Sequence, residues 1–257
     1  MKQLFARALF AAVILVFAVS SASADMAGAT AEYAELLTRY VTPRGVRYEA
    51  WRASGADLKT LSEVVMLYRT TDPAPLSPNE REALYINLYN AKILETVLFA
   101  NVKNSIKELS KAMRPMEVFD RVAMTFDRKA MSLNDLEKRL RDEFKDPRTL
   151  FAVNRGSRSS PPLRPEPFDG ATLDAQLDDA TRAYLARDAA LDVIREGGKV
   201  RIVAVKIFDY FAADFKASGG PLAFIRKFGP QDAVDAIAGG KVKLEFAEFD
   251  WNLNAAK

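Results

Sequence analysis

The amino-acid sequence predicts an α+β fold, a single mixed domain in which several helices pack on a small, largely antiparallel sheet. Three observations favour this class. Long segments carry apolar residues at helical spacing. Shorter segments alternate apolar and polar residues on either side of a turn, as strands do. No internal repeat or sustained heptad pattern occurs in the 257 residues.

The first 24 residues have the parts of a secretory signal peptide. Lys2 and Arg7 flank the start of a 12-residue apolar stretch, residues 8–19, and residues 22–24 are small enough for a signal peptidase site. A stretch of that length is short for a bilayer span, which disfavours an uncleaved anchor. We therefore expect cleavage near Ala24 and a soluble periplasmic or secreted protein without a stable membrane anchor.

Cysteine and histidine are both absent from the composition. Their absence excludes disulfides, a cysteine nucleophile, a Ser-His-Asp triad and a zinc site with His or Cys ligands. After removal of residues 1–24, 35 basic and 34 acidic side chains remain, a formal net charge of +1. So small a charge gives no support for nucleic-acid binding. No motif for a cofactor or a metal ion is present.

The sequence of the N-terminal half predicts helices separated by proline-rich connections. Apolar residues at helical spacing predict helices over Ala31–Tyr40 and Ala56–Tyr68. Ser77 followed three residues later by Glu80 predicts a capping box. The helix that starts there should run to about Ala100.

The rest of the chain alternates strands and helices. The predicted elements are two strands joined by a turn in MTFDRKAMSL (124–133), a helix capped by Ser132, a short buried strand Leu150–Val153, a helix Leu173–Ala186, a hairpin of Ala190–Ile194 with Val200–Val205, helices Ile207–Phe215, Pro221–Phe228 and Gln231–Ile237, and a strand Lys241–Phe249. We expect residues 25–75 to form the N-terminal helical part of the same domain. Residues 76–254 would form its core, and 255–257 a tail.

Two asparagines share one face of the helix that follows Ser77. Asn87 and Asn90 are three residues apart, on a face that is otherwise apolar. Buried amides need hydrogen-bond partners. The favoured interpretation is that they bond the backbone of a neighbouring loop, and the alternative is that they reach a ligand.

The loop over residues 151–168 is rich in arginine, serine and proline. Its three arginines, Arg155, Arg158 and Arg164, could converge on a carboxylate, phosphate or sulfate. The alternative is a solvated loop whose arginines pair with acids such as Glu166. The candidate ligand-binding residues are Arg155, Arg158, Ser157, Asn87, Asn90 and Asn154.

Six segments in order resemble the family called domain of unknown function 547, over about residues 75–254. They are YINLYNAKIL (85–94), MSLNDLEKRL (131–140), DPRTLFAVNRGSRSSPPLR (146–164), LDAQLDDATRAYL (173–185), VKIFDYFAADF (205–215) and FDWNLN (249–254). The resemblance implies a single α+β domain whose activity is not established, with a distant likeness to the papain or transglutaminase type of fold.

This chain departs from the family's central pattern at three positions. A histidine of the family stands where this chain has Leu150, and cysteines stand where it has Arg155 and Ser160. If those groups form a reactive site in relatives, this chain has lost it. The resemblance therefore favours binding over catalysis.

Three hypotheses for function follow. The first is a non-catalytic domain that binds a small anionic ligand or an acidic segment of an envelope protein. On this hypothesis, Arg155→Ala with Arg158→Ala removes ligand stabilisation without unfolding the chain. The second is a hydrolase or acyl transferase with Ser160 as nucleophile, which needs a lysine or a carboxylate as base. The third is an assembly subunit with an exposed apolar patch.

Overall fold

The computed structural model describes residues 26–110, 114–121 and 124–256, and the signal peptide predicted over residues 1–24 lies outside them. Helices α1 to α10 span 26–40, Tyr48–Arg52, Gly55–Thr70, Pro78–Phe99, Pro115–Arg121, Leu133–Phe144, Leu173–Leu185, Ile207–Tyr210, Pro221–Phe228 and Gln231–Ala238. Short 3₁₀ helices span Ile106–Leu109, Pro147–Phe151 and Lys216–Ser218. Strands β1 to β7 span Val41–Thr42, Gly45–Val46, Met124–Phe126, Lys129–Met131, Leu191–Glu196, Lys199–Ala204 and Val242–Phe246.

The α+β class is confirmed by this order of elements. Strands β1 and β2 form a two-stranded antiparallel sheet, and β3 and β4 form another. The third sheet has the order β5-β6-β7. None of the helices in the described ranges combines the length and the apolar character that a bilayer span requires.

Local signals start two of the long helices where the sequence predicts. At the start of α4, the Ser77 hydroxyl accepts from the backbone N–H of Glu80 at 3.3 Å, and the Glu80 carboxylate accepts from the Ser77 N–H at 2.9 Å. Ser132 and Asp135 form the same reciprocal pair at the start of α6. These boxes bond N–H groups that a helix terminus leaves without partners.

The third sheet combines a hairpin with a parallel strand. Strands β5 and β6 are antiparallel and turn at Gly197 and Gly198, whose φ angles of 56° and 72° are suited to glycine. Strand β7 returns parallel to β6, after α8, α9 and α10. Ile202 in the central strand is fully buried. This sheet is therefore mixed, while the two smaller sheets are antiparallel.

The buried apolar residues form two clusters. Helices α1 to α6 and the N-terminal half of α7 contribute residues to the first cluster. The end of α7, strands β5 to β7 and helices α8 to α10 contribute residues to the second. The chain passes from one cluster to the other after the 3₁₀ helix Pro147–Phe151, because Phe151 belongs to the second cluster and Val153 to the first. Helices α1 and α3 share the first cluster with α4. The domain boundaries at residues 75 and 254 stay predictions.

Two predicted elements differ from the structure. The strand predicted at Leu150–Val153 is wrong, because the chain there forms the end of a 3₁₀ helix. Asp146 starts that helix by accepting from the Arg148 N–H at 2.9 Å. The helix predicted over Ile207–Phe215 ends at Tyr210, and turns follow it.

Candidate functional site

Helix α4 holds both ends of the arginine- and serine-rich loop, residues 151–168, through its two asparagines. Asn90 donates to the Ala152 carbonyl at 2.9 Å and accepts from the Asn154 N–H at 2.8 Å. Asn87 donates to the Phe168 carbonyl at 2.8 Å and accepts from its N–H at 2.9 Å. Both side chains are buried. This geometry supports the structural interpretation of the pair, and neither asparagine lines the cavity described below.

The side chain of Asn154 bonds the backbone of the turn that follows it, residues 155–161. Its carbonyl oxygen accepts from the Gly156 N–H at 2.7 Å, and its amide donates to the Pro161 carbonyl at 2.6 Å. Gly156 has a φ of 68°, and a Cβ there would lie 3.4 Å from a methyl of Val97. A side chain at this position would therefore be strained and tightly placed.

The C-terminal segment, residues 250–256, supports the loop from the other side. The Arg158 N–H donates to the Asn252 carbonyl at 2.8 Å. The Ser159 N–H donates to the Asp250 carbonyl at 3.2 Å, and the Ser159 hydroxyl accepts from the Asp250 N–H at 2.9 Å. The sequence suggests no contact between these segments, which lie about 90 residues apart.

The hairpin β1–β2 pairs with the same C-terminal segment. The Val46 N–H donates to the Asn254 carbonyl, and the Ala256 N–H donates to the Val46 carbonyl, both at 2.9 Å. Gly45 allows this close approach, since a Cβ there would lie 2.3 Å from the Asn254 carbonyl oxygen. Residues 250–256 thus lie between the hairpin and the loop.

A cavity of about 1040 Å³ opens where these pieces meet. Its walls are the β1–β2 hairpin, residues 157–166 of the loop, the last turns of α7 and the C-terminal segment. Of the residues predicted to bind or react, Asn154, Ser157, Arg158 and Ser160 line it. Its volume is close to the upper limit, about 1,000 Å³, of small-molecule sites in proteins.

Three arginines line the cavity without a carboxylate neighbour. Within the described part of the chain, no Asp or Glu oxygen lies within 4.0 Å of the guanidinium of Arg44, Arg158 or Arg187. Arg158 and Arg187 are exposed, and Arg187 donates to the Ser160 carbonyl at 3.3 Å. A further carboxylate in the lining, that of Asp250, accepts from the Asn252 N–H at 2.9 Å. The whole lining holds four arginines and three carboxylates, those of Glu166, Asp179 and Asp250, so it carries a formal excess of one positive charge.

The two other arginines of the loop have acidic partners. Arg164 lines the cavity but binds Glu166 and Asp179. Its pairing with Glu166 agrees with the alternative of a loop whose arginines bind nearby acids. Arg155 is buried and its Nη2 atom lies 2.6 Å from an oxygen of Glu137.

The expected convergence of Arg155, Arg158 and Arg164 on one anion is therefore not observed. Burial lowers the pKa of Arg155, but the charge of the Glu137 carboxylate and its hydrogen bond outweigh burial and hold the pKa above its usual value. Arg155 thus stays a cation in the interior. A ligand-binding role for Arg155 does not fit this position. Arg44 and Arg187, which sequence reasoning missed, lie at the cavity instead.

The serine hydroxyls of the loop bond one another. Ser157 Oγ and Ser160 Oγ are 2.7 Å apart, and Ser160 Oγ accepts from the Arg155 N–H at 3.1 Å. Across the described residues, no lysine, aspartate or glutamate side chain bonds the Ser160 hydroxyl. The hypothesis of a Ser160 nucleophile requires such a base.

No group of three or more Asp and Glu side chains is placed to hold a metal ion in residues 26–110, 114–121 and 124–256. The candidate site is thus an arginine-lined cavity beside a loop fixed by asparagines.

Comparison with known proteins shows that the region containing this loop matches a family model. Residues 73–185 match the model of a family described as "Protein of unknown function, DUF547". The chain is consistent with a member of that family. The matched residues include α4, the 3₁₀ turn, the whole loop and α7. The resemblance read from the sequence is confirmed there.

The DUF547 match covers less than half of the chain. The segments 205–215 and 249–254 lie outside it, so their resemblance to the family stays a prediction. No curated protein and no solved structure matches the chain. The distant likeness to the papain or transglutaminase fold also stays a prediction.

Proposed function

We propose that this DUF547 protein is an exported, non-catalytic domain that binds a small anionic ligand in the cavity beside residues 157–166. The observation that carries the proposal is the set of three lining arginines, Arg44, Arg158 and Arg187, which have no carboxylate within 4.0 Å in the described ranges. Guanidinium groups bind carboxylate and phosphate oxygens through paired N–H donors. An acidic segment of an envelope protein is the alternative occupant with the same charge.

The contacts around the loop support binding by a preformed site. Hydrogen bonds to Asn90, to the side chain of Asn154 and to the C-terminal segment hold the backbone of residues 152–161. A fixed backbone lowers the entropic cost of binding, because few groups must become ordered when a ligand arrives. The serine hydroxyls, which bond each other, support a role in shaping the loop rather than in reacting.

The test is a thermal-shift and calorimetric screen of the purified chain against inorganic phosphate, acetate, small organic anions and short acidic peptides. At about 100 times the dissociation constant, a ligand should add roughly 2.7 kcal/mol to the free energy of unfolding. The double variant Arg158→Ala with Arg187→Ala should lose at least tenfold in affinity. The matched control is Arg226→Ala, an exposed arginine of α9 that does not line the cavity.

Equal affinity of the wild type and the Arg158/Arg187 variant for every anion would contradict the proposal. Binding of acidic peptides but of no small anion would favour the alternative occupant, an acidic segment of an envelope protein. If Arg226→Ala weakens binding as much as the double variant does, the loss of affinity reflects only a nonspecific effect of charge.

A further inference from the structure

We infer that the ligand of this cavity is amphiphilic, an anionic group joined to an aliphatic segment. The inference rests on the proposed function and adds the chemistry of the ligand's uncharged part. It follows from how charged and apolar side chains are distributed along one wall of the cavity.

Helix α7 places the two kinds of side chain in order along that wall. Asp179 stands at one end, where it binds Arg164, and Arg187 stands at the other, just beyond the end of the helix. Ala180 and Ala183 lie between them and line the cavity. A helix rises about 1.5 Å per residue, so Asp179 and the end of α7 at Leu185 are separated by roughly 9 Å along the axis, and Arg187 lies beyond that end.

The two ends therefore differ in charge. At the Asp179 end, the guanidinium of Arg164 forms ion pairs with the carboxylates of Glu166 and Asp179. At the other end, Arg187 and Arg158 have no carboxylate within 4.0 Å in the described part of the chain. Asp250 also lines the cavity here, because its backbone bonds Ser159 beside Arg158. Two guanidinium groups thus stand against one carboxylate at this end, which therefore attracts an anionic group.

The wall between the ends offers small and apolar groups. Ala183 lies between the ends on α7, and the lining also contains Leu163 and Pro165 of the loop and Val41 and Pro43 of the β1–β2 hairpin. An alkyl chain leaving the arginine end would bury its surface against these side chains. The volume of about 1040 Å³ also exceeds what a bare inorganic anion can fill.

The test is calorimetric titration of the full chain, as purified from the producing cells, with acetate, butanoate, hexanoate and octanoate. The affinity should rise up to about fourfold per added CH₂ as the chain buries apolar surface. Octylammonium, which has the same chain with the opposite charge, should not bind. Arg158→Ala should weaken every alkanoate.

A second variant tests the apolar wall separately. Ala183→Leu fills part of the space between the ends and should weaken octanoate at least tenfold more than it weakens acetate. Ala175→Leu is the matched control, an exposed alanine of the same helix that does not line the cavity.

The outcomes separate this inference from the proposed function. Equal affinity for acetate and octanoate, with loss in Arg158→Ala, would overturn the inference and leave the proposed function standing. Binding of phosphate but of no alkanoate would do the same. If no anion binds, both fail. Equal binding of octylammonium and octanoate would also overturn the inference.

Discussion

The Nη2 atom of Arg155 lies 2.6 Å from Oε2 of Glu137, and the two side chains are only 4% and 6% exposed. Glu137 belongs to α6 and Arg155 to the loop beside the cavity. The guanidinium also lies 5.3 Å from the centre of the Phe211 ring. The ion pair therefore joins the loop to α6 within the interior.

Removing Arg155 should destabilise the chain strongly. Arg155→Ala leaves the Glu137 carboxylate buried without its counter-charge, and breaking a buried pair in this way typically costs about 3–5 kcal/mol. Urea unfolding should show this as a lower midpoint. Arg158→Ala, at an exposed position of the same loop, should change stability by less than about 0.5 kcal/mol.

The double variant Arg155→Met with Glu137→Leu should recover much of that loss, since replacing both charges removes the unpaired one. A chain with Arg155→Ala that unfolds at the wild-type midpoint would contradict the role assigned to the pair. The expectation from the sequence, that Arg155→Ala with Arg158→Ala leaves the fold intact, is therefore revised.

Asn90 should be necessary for the fixed backbone of the loop. In Asn90→Ala, the Ala152 carbonyl and the Asn154 N–H lose buried partners, at about 1–3 kcal/mol each. We expect a loss of about 2 kcal/mol or more, and faster hydrogen exchange at the Asn154 amide. The control Asn79→Ala, exposed on the same helix, should change neither quantity. Unchanged exchange at Asn154 in the Asn90 variant would contradict the interpretation.

Local signals explain which parts of the fold the sequence predicted well. The capping boxes at Ser77 and Ser132 need only residues three positions apart, so they are visible in a short window. The turn at Gly197 and Gly198 is equally local. The short apolar run Leu150–Val153 was ambiguous, because periodicity cannot separate a buried strand from a turn of helix over four residues.

The candidate site depends on contacts that no short window contains. Glu137, which pairs with Arg155, is 18 positions away, and Arg187 contacts the Ser160 carbonyl across 27 positions. The contact of Asp250 with Ser159 spans 91 positions. Sequence reasoning therefore found the loop, its asparagines and Arg158, but it included the buried Arg155 and missed Arg44 and Arg187.

The predicted signal peptide can be tested by intact-mass measurement of the protein recovered from the cell exterior or periplasm. We expect a chain that lacks residues 1–24, because Ala22 and Ala24 suit the two small-residue positions of the cleavage site. Ala24→Leu should leave the precursor uncleaved, while Ser20→Leu, farther from the site, should still be cleaved. Recovery of the full-length wild-type chain from the cytoplasm alone would refute export.

Glu82 of α4 should make stability depend on pH. Its side chain is 7% exposed, and its Oε1 atom has no hydrogen-bond partner among the described residues. Burial raises the pKa of Glu82 to about 7 from its ordinary value of 4.5, the charge of Asp146 adds to the rise, and Arg148 opposes it. The folded chain thus holds a proton that the unfolded chain has already released between pH 4.5 and pH 7.

The sign of the effect follows from this difference in bound protons. Stability falls as pH rises from about 4.5 to about 7 and stays lower above pH 7, by at most about 3 kcal/mol. Glu82→Gln, which cannot ionise, should therefore unfold at higher urea than the wild type at pH 8 and at nearly the same urea at pH 4.5. Glu32→Gln, exposed on α1, should change little at either pH. If the midpoints of the Glu82→Gln variant and the wild type differ equally at both pH values, ionisation of Glu82 is not the cause.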